Sequence, residues 1–224
     1  MSSVVYDSNS PESRLPFPPI VVGIAGCSGS GKSTLAAELA HTLGGIHFHL
    51  DNYYRDLGHM PYSERIQQNF DDPSLIESPL LTEHIAALAR GEEIQRPFYD
   101  FATHTRVEGQ TEPIRAGRFL IVEGLFALYW AEVLPLYHLR VYMETADPLC
   151  YERRMRRDTV ERGRTPESVK LQYETTVRPS AVHFVAPTRQ NADLQIDGAD
   201  HLDWKIESVL TALRAKGLLS AAGA

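Results

Sequence analysis

Short apolar runs recur along the chain, each closed by a glycine, an acid or a turn. Ile20-Val21-Val22-Gly23-Ile24-Ala25 reads as a buried strand, and so do Phe119-Leu120-Ile121-Val122 and Leu139-Arg140-Val141-Tyr142-Met143. Ile46-His47-Phe48-His49-Leu50 alternates, which puts His47 and His49 on one face and Ile46, Phe48 and Leu50 on the other. Ala192 to Ile196 reads as a last strand. Between these runs the apolar spacing turns helical. Thr34 onward predicts a helix stopped by Gly44-Gly45, and Leu80 to Leu88 one ended by Gly91. Asp147-Pro148 predicts another with Asp147 as cap, broken at Gly163 and restarted at Thr165-Pro166. A longer helix runs through Gln172 and Tyr173, and a final amphipathic one spans Asp203 to about Lys216. Ile94 to Val107 is aromatic and β-branched enough for a hairpin. Strands alternating with helices argue for an α/β fold with a central, mostly parallel sheet.

The stretch between the first strand and the first helix is Gly26-Cys27-Ser28-Gly29-Ser30-Gly31-Lys32-Ser33, followed by Thr34. It fits G-x-x-x-x-G-K-[ST] in the strand–loop–helix context that a phosphate-binding loop needs. Glycines let successive backbone N–H groups converge on a phosphate, and the helix start adds partial positive charge. Lys32 can reach terminal phosphates, and the Ser33 hydroxyl can ligate Mg²⁺.

Composition narrows the class. A chain of 224 residues with 43% apolar and 23% charged content suits one soluble α/β domain. No apolar run reaches the roughly 18 residues of a membrane span, and no secretory signal is visible at the N-terminus. The cysteines are Cys27 and Cys150; a disulfide at Cys27 would obstruct the phosphate loop, so a reducing cytoplasmic setting is expected. A net charge of −7 argues against a nucleic-acid surface. Yet Cys150 to Arg164 carries six arginines against three acids, locally +3, which suits a confined anionic ligand. The expected organisation is a disordered leader over 1–18, one domain over 19–216 and a flexible tail over 217–224. The domain carries a substrate hairpin at about 94–112 and an arginine-rich helical lid at about 147–168.

Two acids lie at strand ends. Ligands in open parallel sheets sit beyond the strand C-termini. Asp51 can there accept the proton of an attacking hydroxyl or hold metal, and its position favours such a role over a helix-cap or turn aspartate. Glu123 has the form of a carboxylate that helps hold Mg²⁺. His47 and His49 could bind metal, but no third ligand is indicated nearby, so a solvated or core-satisfied pair is expected. Tyr99 and Phe101 share a strand face and could sandwich a planar ligand or simply pack the hairpin.

Several segments recur together in one known family. They are Gly26 to Thr34, Asp51-Asn52-Tyr53-Tyr54, Asn69-Phe70-Asp71-Asp72-Pro73, and Tyr99-Asp100-Phe101-Ala102-Thr103-His104-Thr105-Arg106. Glu123-Gly124, Arg153-Arg154 with Arg157-Asp158, Glu161-Arg162-Gly163-Arg164, Gln172-Tyr173, Val177-Arg178-Pro179 and Asn191-Ala192-Asp193 follow in order. With these the chain resembles the uridine–cytidine kinases of the phosphoribulokinase/uridine kinase family of P-loop kinases, from about residue 20 to 215. The resemblance implies transfer of the γ-phosphate of ATP or GTP, with Mg²⁺, to the 5′-hydroxyl of uridine or cytidine. It implies Asp51 as general base, Asp71 on the ribose hydroxyls assisted by Arg154, and Tyr99 with His104 on the pyrimidine edge. It further implies Tyr54 and Phe101 as aromatic walls, Arg164 and Gln172 as nucleoside contacts, Arg157 and Arg162 as lid arginines, and a homotetramer. Asn52 stands where serine is common and Asp72 where histidine is common, and the link from the loop's helix to Asp51 is short. Ser2 to Pro18 has no counterpart. Two other readings are a kinase of the same group acting on nicotinamide riboside, pantothenate or ribulose phosphate, and a nucleotide-binding regulatory domain without turnover.

Overall fold

The computed structural model describes residues 17–220. The described residues open with β1 (Ile20–Gly26), α1 (Lys32–Leu43) and β2 (Ile46–His49). A 3-10 turn, Leu50–Tyr53, follows, then α2 (Tyr62–Arg65) and α3 (Ser78–Ala89). β3 (Glu93–Asp100) and β4 (Thr105–Arg115) form an antiparallel hairpin. β5 (Phe119–Glu123), β6 (Leu139–Glu144), α4 (Asp147–Val160), α5 (Pro166–Gln172), α6 (Arg178–Ser180), β7 (Leu194–Asp197) and α7 (Leu202–Ala215) complete it.

Five strands make one parallel sheet in the order β2-β5-β1-β6-β7. Side chains alternate across it, as a two-residue period demands. Val21, Ala25, Phe48, Leu120 and Val122 enter one core with α3 and the 3-10 turn. Val22, Ile24, Ile121, Val141 and Met143 enter the other with Leu35 and Leu39 of α1 and Val209 and Leu213 of α7. Burial on both faces is why these strands read as unbroken apolar runs. The expected P-loop α/β architecture is therefore present, with β1 at the centre and loops converging at the strand C-termini.

Several local expectations change. Leu50 leaves the strand to begin the 3-10 turn, so Asp51 sits on a tight bend. Asp147 does not cap α4; Ala146 holds that position. The Asp147 carboxylate instead accepts from the Tyr173 hydroxyl at 2.7 Å and pairs with Arg178 at 2.7 Å. Beyond Gln172 the expected single helix widens into π turns at Tyr173–Val177 and Ala181–Val185. Each lies just before a proline, Pro179 and Pro187, whose ring cannot take the ordinary helical hydrogen bond. The tail expected loose from Gly217 is held further along. The Leu218 N–H donates to the Leu213 carbonyl at 2.9 Å, and Leu218 and Leu219 pack on the α7 core. Residues 221–224, and all but the end of the expected leader (1–16), lie outside the described residues. Among the described residues no helix is long and apolar enough to cross a membrane.

Leu35 is fully buried between α1 and the sheet. Leu35→Ala is expected to lower the unfolding free energy by about 2–5 kcal/mol, read as a shift of the urea midpoint with unchanged slope.

Candidate active site

The phosphate loop is shaped by what it cannot contain. Gly29 has φ +86°, and a Cβ there would collide with the Cys150 carbonyl of α4. Only glycine meets both demands. Gly31 caps α1 at φ +94° with no side-chain hydrogen bond, and the first turn of α1 holds no acid. The amides at that helix start are thus left for an anion. The Ser30 hydroxyl is buried in the loop without a partner. These features fit a bound phosphate chain. Gly26 ends β1, and Thr34 is exposed in the first turn of α1.

Glu123 ends β5 and is almost fully buried. Its Oε2 accepts from the Ser33 hydroxyl at 3.1 Å, and its Oε1 lies 2.9 Å from His49 Nδ1. Burial alone would raise its pKa; the His47 and His49 rings and the Lys32 charge reverse this and hold it well below the ordinary range. Two hard oxygens at Ser33 and Glu123 are a donor set that fits Mg²⁺.

Asp51, on the 3-10 turn after β2, lies within the electrostatic reach of Glu123 and Lys32. Solvent reaches it, yet protein crowds it, and that desolvation together with the Glu123 charge raises its pKa. Lys32, His49 and Arg162 oppose the rise. A carboxylate with a raised pKa is suited to take a proton near neutrality.

The hairpin supplies an aromatic wall next to it. Tyr54 is buried, donates to the Phe70 carbonyl at 2.7 Å, and packs 5.5 Å from the Tyr99 ring. The Tyr99 hydroxyl is buried with no hydrogen-bond partner. Phe101 meets Tyr99 edge-on at 5.1 Å but is itself more than half exposed. His104 stacks on Phe70 with ring centroids 4.5 Å apart, from a left-handed backbone at φ 55°. Burial first, then Arg164, lowers its pKa, so the ring is neutral at pH 7 and can both donate and accept. Asp71 is buried nearby on a turn braced by its own N–H to Asn69 Oδ1 at 3.1 Å. Burial raises its pKa, and the Arg154 charge is the chief opposing influence.

The arginine segment is organised by a residue to which the sequence reading gave no role. Asp158 is fully buried, and Arg154, Arg157, Arg162 and Arg164 all lie within 2.8–3.6 Å of its carboxylate. Burial would raise its pKa, but the arginines outweigh it and lower it. Arg154 also donates to Ser28 Oγ at 2.8 Å and to Gln172 Oε1 at 3.0 Å, and Arg164 donates to the same Gln172 oxygen at 2.5 Å. The segment is thereby wired to the phosphate loop. Arg153 adds a further tie to that loop, donating to the Ser30 carbonyl at 3.3 Å and to the Gly198 carbonyl at 3.0 Å. Two further omissions are Phe70, which carries the His104 ring, and the third neighbour of the His47/His49 pair, which is Glu123. Only the strand order, which sets β2 beside β5 in register His49↔Glu123, reveals that neighbour.

A parallel sheet with β1 central, a phosphate loop at its edge and an arginine segment bonded to that loop define a P-loop kinase. The chain belongs to the phosphoribulokinase/uridine kinase family, whose model matches residues 21–203. It is 43% identical over 181 residues to a uridine kinase of Deinococcus deserti, covering 80% of this chain and 87% of that protein. It is 38% identical over 202 residues to a uridine kinase of Chloroflexus aggregans, covering 89% and 96%. In fold it is similar to the solved phosphoribulokinase from Rhodobacter spheroides, with a TM-score of 0.57 at 14% identity over 82% of this chain and 73% of that one.

Asp158→Ala leaves four guanidinium groups around an empty buried position. It is expected to cost about 3–5 kcal/mol of stability at pH 7, measured by urea unfolding. Because the folded-state pKa of Asp158 is depressed, its contribution is present above the unfolded value of about 3.9 and is lost as pH falls through the folded value. The wild-type and Asp158→Ala stabilities should therefore converge on acidification.

Proposed function

We propose that the protein is a nucleoside kinase that transfers the γ-phosphoryl of ATP or GTP to the 5′-hydroxyl of uridine or cytidine, giving UMP or CMP. The observation that carries this reading is the position of Asp51. Its carboxylate shares a field with Lys32 and Glu123 on one side and with Tyr54, at the aromatic wall, on the other. The uridine kinases at 38–43% identity support the choice of acceptor.

The loop from Gly26 to Ser33 cradles the donor phosphates with backbone N–H groups, and Lys32 neutralises the charge that develops on transfer. Ser33 and Glu123 would hold Mg²⁺, which supplies charge neutralisation between donor phosphates. Asp51 takes the proton of the 5′-hydroxyl and aligns its oxygen. Asp71 accepts from ribose hydroxyls with Arg154 beside it, which disfavours a deoxy sugar because the buried carboxylate would go unpaired. The free Tyr99 hydroxyl and the neutral His104 ring meet the pyrimidine edge, where a donor–acceptor pair tolerates either O4 of uracil or N4 of cytosine. Tyr54 and Phe101 wall the base, and Gln172 and Arg164 close the nucleoside side. Arg157 and Arg162 attend the triphosphate. A regulatory domain without turnover would need none of this acceptor-side chemistry, and a sugar-phosphate acceptor would not need Tyr99 and His104. The free cysteines suit a cytoplasmic setting, and a homotetramer follows from the family resemblance; light scattering after size exclusion checks the assembly.

A panel of uridine, cytidine, their 2′-deoxy forms, nicotinamide riboside, pantothenate and ribulose 5-phosphate, each with ATP and with GTP, tests the reading. Turnover of uridine and cytidine above the others is expected; turnover confined to a non-nucleoside would overturn it. Asp51→Asn is expected to lower kcat about 100- to 10,000-fold with nucleotide affinity preserved, and wild-type-like turnover would sink the base assignment. In the wild type, kcat/KM should fall on acidification through a pKa raised above the ordinary aspartate value, because Asp51 must be ionised and desolvation with the Glu123 charge has raised it. His104→Ala should raise the KM for uridine about tenfold and leave that for ATP unchanged; equal changes in both would rule out base reading.

A further inference from the structure

The His47/His49 pair has a use that the phosphotransfer reading does not give it. Their rings lie 3.8 Å apart between centroids and are tilted by 41°, so they converge and do not stack flat. The convergence point is the Glu123 carboxylate. His49 Nδ1 lies 2.9 Å from Oε1, His47 Nε2 lies 3.7 Å from the same oxygen, and the three ligand atoms all fall within 4.8 Å of one another. Two ligands bound tetrahedrally to zinc at about 2.0–2.1 Å stand about 3.3 Å apart. The two spacings to Oε1 straddle that value. His47 Nε2 is buried without a hydrogen-bond partner, an unmet demand aimed at this point. All three residues sit on adjacent parallel strands in fixed register, so the spacing is set by the sheet and not by a loop.

We propose that His47, His49 and Glu123 form a site for a borderline-soft divalent cation of the Zn²⁺ class, sharing one carboxylate with Ser33. Two imidazole nitrogens and one carboxylate oxygen select Zn²⁺ or Co²⁺ over Mg²⁺, which prefers oxygen alone. Glu123 and His47 are largely enclosed, whereas the His49 side chain is 43% exposed. The open side provides an entry path and room for water as a fourth ligand. The site is coupled to the neighbouring one through Glu123: Oε1 faces the histidines and Oε2 faces Ser33. A cation held by the histidines withdraws charge and freedom from the carboxylate that would serve Mg²⁺. Occupancy therefore inhibits phosphoryl transfer, a consequence that rests on the proposed role of Glu123 in the kinase reaction. Binding itself does not rest on it.

The test uses the tag-free full chain, freed of metal by chelation and without nucleotide. Co²⁺ is titrated in at pH 7, followed by its intense visible d–d bands, and then displaced with Zn²⁺. One equivalent of four-coordinate Co²⁺, displaced by Zn²⁺ and not by Mg²⁺, is expected. His49→Ala and His47→Gln should each weaken binding at least about tenfold while keeping the wild-type circular dichroism spectrum. The absence of stoichiometric binding in the wild type, or undiminished binding in both variants, would overturn the site and leave His49 only as a hydrogen-bond partner of Glu123. A second measurement adds Zn²⁺ to kinase assays in excess Mg²⁺, with each protein scaled to its own zinc-free rate. Wild type should lose activity at the concentration that fills the site, and the variants should need at least about tenfold more. Full wild-type activity with the site filled would leave the cation site standing and remove Glu123 from the Mg²⁺ role.

Discussion

A carboxylate buried at the end of an apolar strand is tolerable only if its charge is met on every side, and Glu123 shows how much structure that requires. Ser33 from α1, His47 and His49 from β2 and the ammonium of Lys32 all turn toward it. These residues come from two elements, α1 and β2, that meet at Glu123 only because β5 lies between β1 and β2. The hydrogen bond to Ser33 links the first turn of α1 to the sheet at the point where the phosphate loop ends. The Lys32 and His49 charges that lower the Glu123 pKa also oppose the rise at Asp51, where desolvation and the Glu123 charge outweigh them. Two acids near one ammonium are driven in opposite directions, one toward permanent charge and one toward proton exchange.

A second charged hub repeats the theme on the other side of the loop. Asp158 gathers four arginines whose mutual repulsion would otherwise spread them. Arg154 passes from that hub to Ser28, and α4 presses its Cys150 carbonyl against Gly29. The loop is therefore bounded by charge from α4 and by backbone from the same helix. A change in the tilt of α4 cannot leave the phosphate loop untouched.

What could be read from the sequence was the chemistry that is local. The loop from Gly26 to Ser33 carries its own geometry in its glycines, and the strands announce themselves because both faces are buried. Asp51 and Glu123 could be placed because strand ends in a parallel sheet face one edge. The aromatic wall was not legible in the same way. Residue pattern left Tyr99 and Phe101 open between ligand stacking and hairpin packing, and only family likeness spoke for the former. The Asp158 hub, the Phe70–His104 stack and the meeting of His47 and His49 with Glu123 were hidden because their partners are distant in sequence or depend on rotamers. The π turns before Pro179 and Pro187 were hidden for another reason, since a proline in a helical pattern signals disturbance without saying what form the relief takes.

Position 104 shows a further kind of conflict. Its backbone is left-handed, the conformation that glycine or asparagine adopts with least cost and that histidine holds at an expense of about 1–2 kcal/mol. The stack on Phe70 returns part of that cost. A search for stabilising substitutions guided by backbone preference alone would choose glycine here and erase the ring. Thermal stability and the base reading proposed for His104 are thus set against each other at a single residue, and a variant selected only for heat resistance would be drawn toward discarding the second.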